Sequence, residues 1–269
     1  MTSRTTFLAF LAGVVATATA YSQAMVFNVK TAHQVYVIGE PVAVTVKMAN
    51  KGVKPVVIDD YELFKDNDLY FKITNKNGAT LKKMRQGKIV PELSLEQDQA
   101  TAIEVNLSDW YALLEPGNYR ANVVLINNGL RFESPAVLFE VVPGMPLATT
   151  TQYIMGDKPI ERTLSVVYWP REEREVAFLR AFDSNGAIWR TLVLGSVMRV
   201  KNTSIEKNGD TSFYVYRQAS RDTLVRTEIV SDVNGVKMVD NRRAIESVSS
   251  PMVDGLREAI ERDARKKAK

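Results

Sequence analysis

The chain has 269 residues, of which 45% are hydrophobic and 25% are charged, and its formal net charge is +4. These values are typical of a folded globular protein and exclude a disordered or fibrous chain. The basic excess is small and is not gathered with aromatic residues into a stripe, so we do not expect nucleic-acid binding. The sequence contains no cysteine, which excludes disulfides, thiolate metal sites and a lipid-modified cysteine.

Residues 1–24 have the features of a signal peptide. Arg4 precedes an apolar run at 7–15, and small residues follow, so cleavage is expected after Ala20 or Ala24. The run is too short for a confident membrane span, and no later segment has the roughly 20 apolar residues that a spanning helix needs. The sequence therefore predicts a periplasmic or secreted protein with no transmembrane span after signal removal.

The segment 25–143 shows the period-2 alternation of strands that cover a core. Its clearest example is the run 42–50, which follows Gly39-Glu40-Pro41 and places four apolar side chains on one face. The turn at 75–78 is expected to close a hairpin onto 79–81. Strands are predicted at 26–30, 34–38, 42–50, 56–58, 69–73, 102–107, 119–127 and 136–142.

A second structural signal is the turn formed by Pro116 and Gly117, which is followed by Tyr119. A tyrosine after such a turn can donate a hydrogen bond back to the backbone, as in the tyrosine corner of immunoglobulin-type sandwiches. Together with the alternating run at 42–50, this stretch resembles the Ig-like and fibronectin-like accessory domains of bacterial exported proteins. The resemblance covers residues 26–142 and implies a β-sandwich, but it carries no functional residue.

Prolines and a glycine at 143–146 predict a boundary, after which the pattern becomes a β-meander over 147–247. We expect the charged run 170–175 to be a solvated loop. The meander has the strand–turn–strand pattern of β-propeller blades. A segment this short holds too few blades to form a closed propeller, so an open antiparallel sheet or small sandwich is expected. Several strands are apolar on both faces, as Phe178 and Leu179 show. The first domain, a C-terminal helix or a partner must therefore cover the second face.

A short amphipathic helix is predicted at 250–269. Ser250 is a suitable N-cap and Pro251 a suitable first helical residue. The apolar stripe is formed by Val253, Leu256 and Ile260, and a basic tail follows. The predicted fold class is therefore all-β, with an Ig-like sandwich, a β-meander domain and this helix.

Candidate catalytic and metal-binding residues are few. The sole histidine, His33, lies in a predicted loop. Ser204 and Lys207 match the Ser-x-x-Lys spacing of acyl-enzyme hydrolases but lack the accompanying motifs. The Asp-x-Asn-Gly runs at 183–186 and 232–235 and the acidic residues at 59–68 are interpreted as turns and a hydrated loop, with calcium binding as the alternative. We therefore expect no catalytic residue, no metal site and no cofactor.

The aromatic residues of the meander are the remaining candidates for a site that contacts a ligand or partner. We expect Trp169, Trp189, Tyr214 and Tyr216 to contact a ligand or partner, with core packing as the competing interpretation. The predicted function is a non-catalytic binding or structural module that contacts an envelope protein. A glycan-binding or protease-inhibitor module is the alternative, and a hydrolase is a third hypothesis. The oligomeric state is left open.

Overall fold

The computed structural model describes residues 25–58, 68–90, 92–155, 159–172, 174–184 and 188–245. The predicted signal peptide, the predicted helix at 250–269, the acidic residues at 59–67 and the centre of the turn at 183–186 lie outside these residues. Strands dominate what is described, so the predicted all-β fold class is confirmed. In the described ranges, no helix combines the length and the apolar character that a membrane crossing requires.

The first group of strands forms a sandwich over residues 25–142, which we call the N-terminal sandwich. In chain order its strands are β1 (Met25–Thr31), β2 (Val35–Val37), β3 (Ala43–Asn50), β4 (Val56–Ile58), β5 (Asp68–Thr74), β6 (Leu93–Leu95), β7 (Ala100–Asn106), β8 (Gly117–Asn127), β9 (Leu130–Glu133) and β10 (Val137–Val142). One sheet has the order β1-β3-β7. The facing sheet has the order β2-β10-β8-β5 with β9 beside β8, and β4 pairs with β6. The pairing is antiparallel except between β2 and β10.

The inner faces of these sheets share one apolar core, because the alternating residues of β3 meet those of β5 and β8. The tyrosine corner is confirmed, since the Tyr119 hydroxyl donates to the Glu115 carbonyl at 2.7 Å. The Tyr119 ring also stacks on Phe139, with ring centroids 5.5 Å apart. The predicted hairpin at 75–81 is a tight turn with a single bridge between Thr74 and Thr80.

The second group of strands forms the C-terminal sandwich, which we define as residues 145–245. Its strands are β11 (Met145–Ile154), β12 (Ile160–Arg171), β13 (Arg174–Asp183), β14 (Ile188–Ser196), β15 (Ser204–Lys207), β16 (Ser212–Ser220), β17 (Thr223–Asp232) and β18 (Gly235–Ile245). They form two antiparallel sheets in simple chain order, β11-β12-β13-β14 and β15-β16-β17-β18. The predicted meander is therefore two stacked meander sheets around one core.

Buried arginine side chains cross the core of the C-terminal sandwich and join its two sheets. Arg162 on β12 is fully buried and pairs with Asp183 at 2.7 Å, and it also donates to the Asp232 carbonyl at 2.7 Å. Arg217 on β16 donates to the carbonyls of Leu194 and Ser196 on β14. Each guanidinium satisfies backbone acceptors of the opposite sheet, so these hydrogen bonds fix how the two sheets are aligned.

Two local expectations at the junction of the sandwiches differ from the structure. β11 starts at Met145 and includes Pro146, which is tolerated because β11 is an edge strand and a bulge follows Pro146. The charged run 170–175 is predicted to be a solvated loop, but β12 extends to Arg171 and β13 begins at Arg174, so most of the run belongs to two paired strands. The division into separately folding domains stays a prediction.

The tyrosine corner provides a first test. Tyr119→Phe removes the hydrogen bond to Glu115 without changing the ring, so we expect the free energy of unfolding to fall by about 1 kcal/mol. Urea unfolding measures the change. Tyr153→Phe is the matched control, since Tyr153 is 71% exposed and its change should be close to zero. Equal effects of the two substitutions would contradict the role given to the corner.

Candidate functional site

The two sandwiches meet in a buried apolar contact, which we call the seam. It covers the outer face of β12 and β13, and its members from both sandwiches are Val37, Val142, Val167, Val176 and Phe178. Trp169 is partly buried beside them. Phe178 faces the seam, whereas its neighbour Leu179 faces the core of the C-terminal sandwich. The N-terminal sandwich therefore supplies the second cover that β13 was expected to need.

Arg171 is the main polar residue of the seam. Its Nη2 atom lies 2.5 Å from Oε2 of Glu40 and 3.2 Å from the Val35 carbonyl oxygen. The guanidinium also lies over the rings of Tyr36 and Phe178, 5.9 and 5.2 Å from their centroids. One side chain of the C-terminal sandwich thus combines an ion pair, a backbone contact and two cation–π contacts at this interface.

Further hydrogen bonds tie the sandwiches together on either side of Arg171. The Thr191 hydroxyl on β14 donates to the Ile38 carbonyl at 2.7 Å. Arg180 on β13 donates through Nη1 to the Pro143 carbonyl at 3.0 Å. Gly144, which connects the sandwiches, has a φ of +71° and packs directly on Val167. These contacts add two hydrogen bonds and one close backbone packing contact to those made by Arg171.

Burial governs the electrostatics of the seam. Glu40 is 6% exposed, and burial raises the pKa of its carboxyl. The Val37 N–H, which donates to Glu40 at 2.9 Å, and the charge of Arg171 act in the opposite direction. The sequence did not single out this pair. A glutamate before a proline and an arginine in a charged run look like ordinary solvated residues until the tertiary structure brings them together.

A cavity of about 330 Å³ opens at the edge of the seam and contains the sole histidine. Burial lowers the pKa of His33, and the charge of Arg171 lowers it further, while Glu172 raises it. The imidazole is thus neutral near pH 7 and can donate or accept a hydrogen bond. The residues that line the cavity supply no hydroxyl, thiol or amine nucleophile. They are Ala32, His33, Gln34, Val35, Pro170, Arg171 and Glu172.

The predicted contact residues do not form a common groove. Trp169 lies at the seam, on the outer face of one sheet of the C-terminal sandwich. Tyr214 and Tyr216 lie on the outer face of the other sheet, because Phe213 and Val215 between and beside them point into the core. The backbone of Trp189 belongs to β14, and its side chain lies outside the part that the structure describes. That these residues contact a ligand or partner stays a prediction.

The outer face of β15–β18, which we call the aromatic face, has an ordered set of side chains. Tyr214 and Tyr216 contact each other edge to face at 6.2 Å, and Arg226 lies 4.5 Å from the Tyr214 ring centroid. Strand register aligns an acidic row and a second, largely basic row. The acidic row contains Glu206, Tyr214, Glu228 and Asp240, and the other contains Ser204, Tyr216, Arg226 and Arg242.

The outer face of β1, β3 and β7, which we call the open face, is different in character. Small and apolar side chains surround a shallow hollow of about 400 Å³. Val26 is 55% exposed, and Lys47 on the central strand is also exposed. The other outward residues around the hollow are Asn28, Ala49, Ala100 and Ala102. Within the described residues of this sheet, no outward position carries an aromatic ring.

The hydrolase hypothesis required Ser204 and Lys207 within hydrogen-bond reach. Both lie on β15, where residues three positions apart point to opposite faces. Lys207 instead forms an ion pair with Asp210 at 3.6 Å. Across the described ranges, no group of three acidic, histidine or cysteine residues is placed to hold a metal ion.

Comparisons with known proteins assign no family. No protein-family model and no curated protein matches the chain. Among solved structures, one named BspA_C_mut shares 10% sequence identity over 81% of this chain and 97% of its own, with a TM-score of 0.25. A TM-score of this size supports no inference about fold or function.

The connection between the sandwiches can be tested at Gly144. A Cβ there would lie 2.9 Å from Cγ2 of Val167, and a positive φ costs an alanine about 1–2 kcal/mol in any case. We expect Gly144→Ala to lower the free energy of unfolding by more than this conformational cost alone. Gly129→Ala is the matched control, since Gly129 has a φ of +75° with no atom within 4 Å. Equal losses in thermal or urea unfolding would show that the contact with Val167 is unimportant.

The seam ion pair makes a pH-dependent prediction. Arg171→Met leaves Glu40 buried and charged, so we expect a loss of about 3 kcal/mol in unfolding free energy near neutral pH. Because the folded-state pKa of Glu40 is raised above its ordinary 4.5, the carboxyl takes up a proton as the pH falls through that raised value. The loss should therefore shrink towards pH 4.5, and Glu40→Gln combined with Arg171→Met should recover most of it at neutral pH.

Urea unfolding of the single and double variants across this pH range checks the prediction. Arg199→Met is the matched control, because Arg199 pairs with Glu175 at 2.8 Å at an exposed position. Its effect should be small and should not follow the titration of a buried carboxyl. A loss for Arg171→Met that is constant with pH would contradict the assignment of Glu40 as the titrating group.

Proposed function

We propose that this protein is an exported, non-catalytic binding module that acts in the cell envelope or outside the cell through protein–protein contacts. Export rests on the sequence of residues 1–24. Neither Ser204 with Lys207 nor the lining of the His33 cavity forms a nucleophile–base arrangement, which favours binding over catalysis. The seam favours a structural role, because it presents the two sandwiches to a partner in one fixed arrangement.

The observation that carries the proposal is the open face of β1, β3 and β7. It combines exposed Val26 and small alanines with Asn28 and Lys47 around a shallow hollow, so a partner could reach both apolar and polar side chains there. Small outward side chains allow a partner to approach the backbone of the sheet closely. Both features fit a protein surface placed flat against the sheet.

The open face favours a protein partner over a glycan. Aromatic rings supply the large, rigid contact area that sugars use for packing, and the outward positions of β1, β3 and β7 are aliphatic, polar or charged. On the aromatic face, one side of Tyr214 is already in contact with Arg226. The glycan-binding alternative therefore has less support from the described surfaces, whereas the protease-inhibitor alternative, which also involves a protein partner, stays open.

Affinity capture from the envelope fraction of the producing organism tests the proposal, with residues 25–269 as bait. We expect a specific envelope protein to be retained by the wild-type chain and its retention to fall about tenfold or more with Ala102→Arg, which fills the hollow with a charged side chain. Ala79→Arg is the matched control, since Ala79 is exposed in a turn away from the open face. Equal retention by Ala102→Arg, or retention of a polysaccharide alone, would contradict the proposal.

A further inference from the structure

The aromatic face is sheltered on β15, β16 and β17 although it forms the outside of the sandwich, whereas Arg242 on the edge strand β18 is exposed. Each described outward residue of β15, β16 and β17 is at most partly exposed, and Arg226 in the middle of the face is only 6% exposed. A long charged side chain on an uncovered sheet would extend into water. The sheltered outward residues are Ser204, Glu206, Ser212, Tyr214, Tyr216, Leu224, Arg226, Glu228 and Val230.

The open face provides an internal comparison, because it is also the outer face of an antiparallel sheet. There Lys47 on the central strand is exposed, and so are most outward residues of the flanking strands. The central strands of the aromatic face carry longer side chains than the open face does, yet they are less accessible. A cover over the aromatic face explains this difference.

The chain itself supplies a cover of suitable position and length. β18 is the edge strand of this sheet and ends at Ile245, paired with Thr223 at the start of β17. The segment 246–269 follows directly. A helix over 251–269 would be about 28 Å long, which exceeds the roughly 15 Å between the first and last of four paired strands.

The chemistry of this segment matches the face. Val253, Leu256 and Ile260 form a narrow apolar stripe in the sequence, suited to packing on tyrosine rings and on the stem of Arg226. The basic residues at 265–269 complement the acidic row that contains Glu228.

We propose that residues 246–269 dock on the aromatic face, with the apolar stripe against Tyr214 and Tyr216. The tyrosines predicted to contact a partner then contact another part of their own chain. This inference concerns a different surface from the open face and is independent of the proposed function.

Thiol labelling tests the docking, because the chain has no cysteine of its own. Glu228→Cys places a thiol on the aromatic face, and Lys47→Cys places one on the open face. A thiol under a docked segment reacts only when the segment opens. We therefore expect Glu228→Cys to react with a maleimide at least about tenfold more slowly than Lys47→Cys.

Removing the stripe should abolish the protection. In the Glu228→Cys background, Val253→Ser, Leu256→Ser and Ile260→Ser together should raise the labelling rate to that of Lys47→Cys. Asp254→Ser, Glu258→Ser and Arg262→Ser together, which lie on the opposite side of the predicted helix, should leave labelling slow. Fast labelling of Glu228→Cys in the intact chain, or slow labelling after loss of the stripe, would overturn the proposal.

A crosslinking measurement remains informative if the stripe variant does not fold. The variants are Glu228→Cys with Leu256→Cys and Glu228→Cys with Asp254→Cys. Mild oxidation should join the first pair by a disulfide within one chain at least about tenfold more efficiently than the second, because positions 256 and 254 lie on different sides of the helix. Equal crosslinking, or none with either pair, would overturn the proposal.

Discussion

The arrangement of this protein depends on one constraint, which is that β13 is apolar on both faces. Leu179 packs inside the C-terminal sandwich, and its neighbour Phe178 points the other way. Burying a phenylalanine side chain contributes roughly 1.5–3 kcal/mol, and this contribution would be lost if the outer face of β13 met water. The N-terminal sandwich covers that face with Val37 and Val142. The relative placement of the two sandwiches therefore follows from the need to bury both faces of β13.

Buried arginines determine how the packed layers are aligned. Burial of an ion pair such as Arg171 and Glu40 carries a desolvation cost that offsets much of its attraction, so its main contribution is to the specific fit of the seam. Arg162 and Arg217 act in the same way between the two sheets of the C-terminal sandwich, where each donates to backbone carbonyls of the opposite sheet. Apolar contacts supply most of the stabilisation. Apolar packing alone would allow the sheets to shift against each other, and the directional hydrogen bonds of the arginines select one alignment.

The two outer faces are both antiparallel sheets, but they differ in how accessible their side chains are. On the open face, short side chains leave the sheet accessible, with Val26 and Lys47 exposed. On the aromatic face, tyrosines and arginines lie close together, and Arg226 is nearly buried. Because the seam holds the sandwiches together, both faces are presented in a fixed relation to each other.

The sequence by itself determined the local features of this protein. The alternation at 42–50, the tyrosine corner at Tyr119 and the two-sided character of β13 could be predicted, because each depends on residues close together in the chain. The short strands β6 and β9 were missed, since they lack the β-branched residues that mark the equally short β4 as a strand. Only the tertiary structure paired Glu40 with Arg171 and separated Trp169 from Tyr214. The periodicity of a sequence shows on which face of a strand a side chain lies. The residues that cover that face come from a distant part of the chain, and only the packing of the folded chain determines which residues these are.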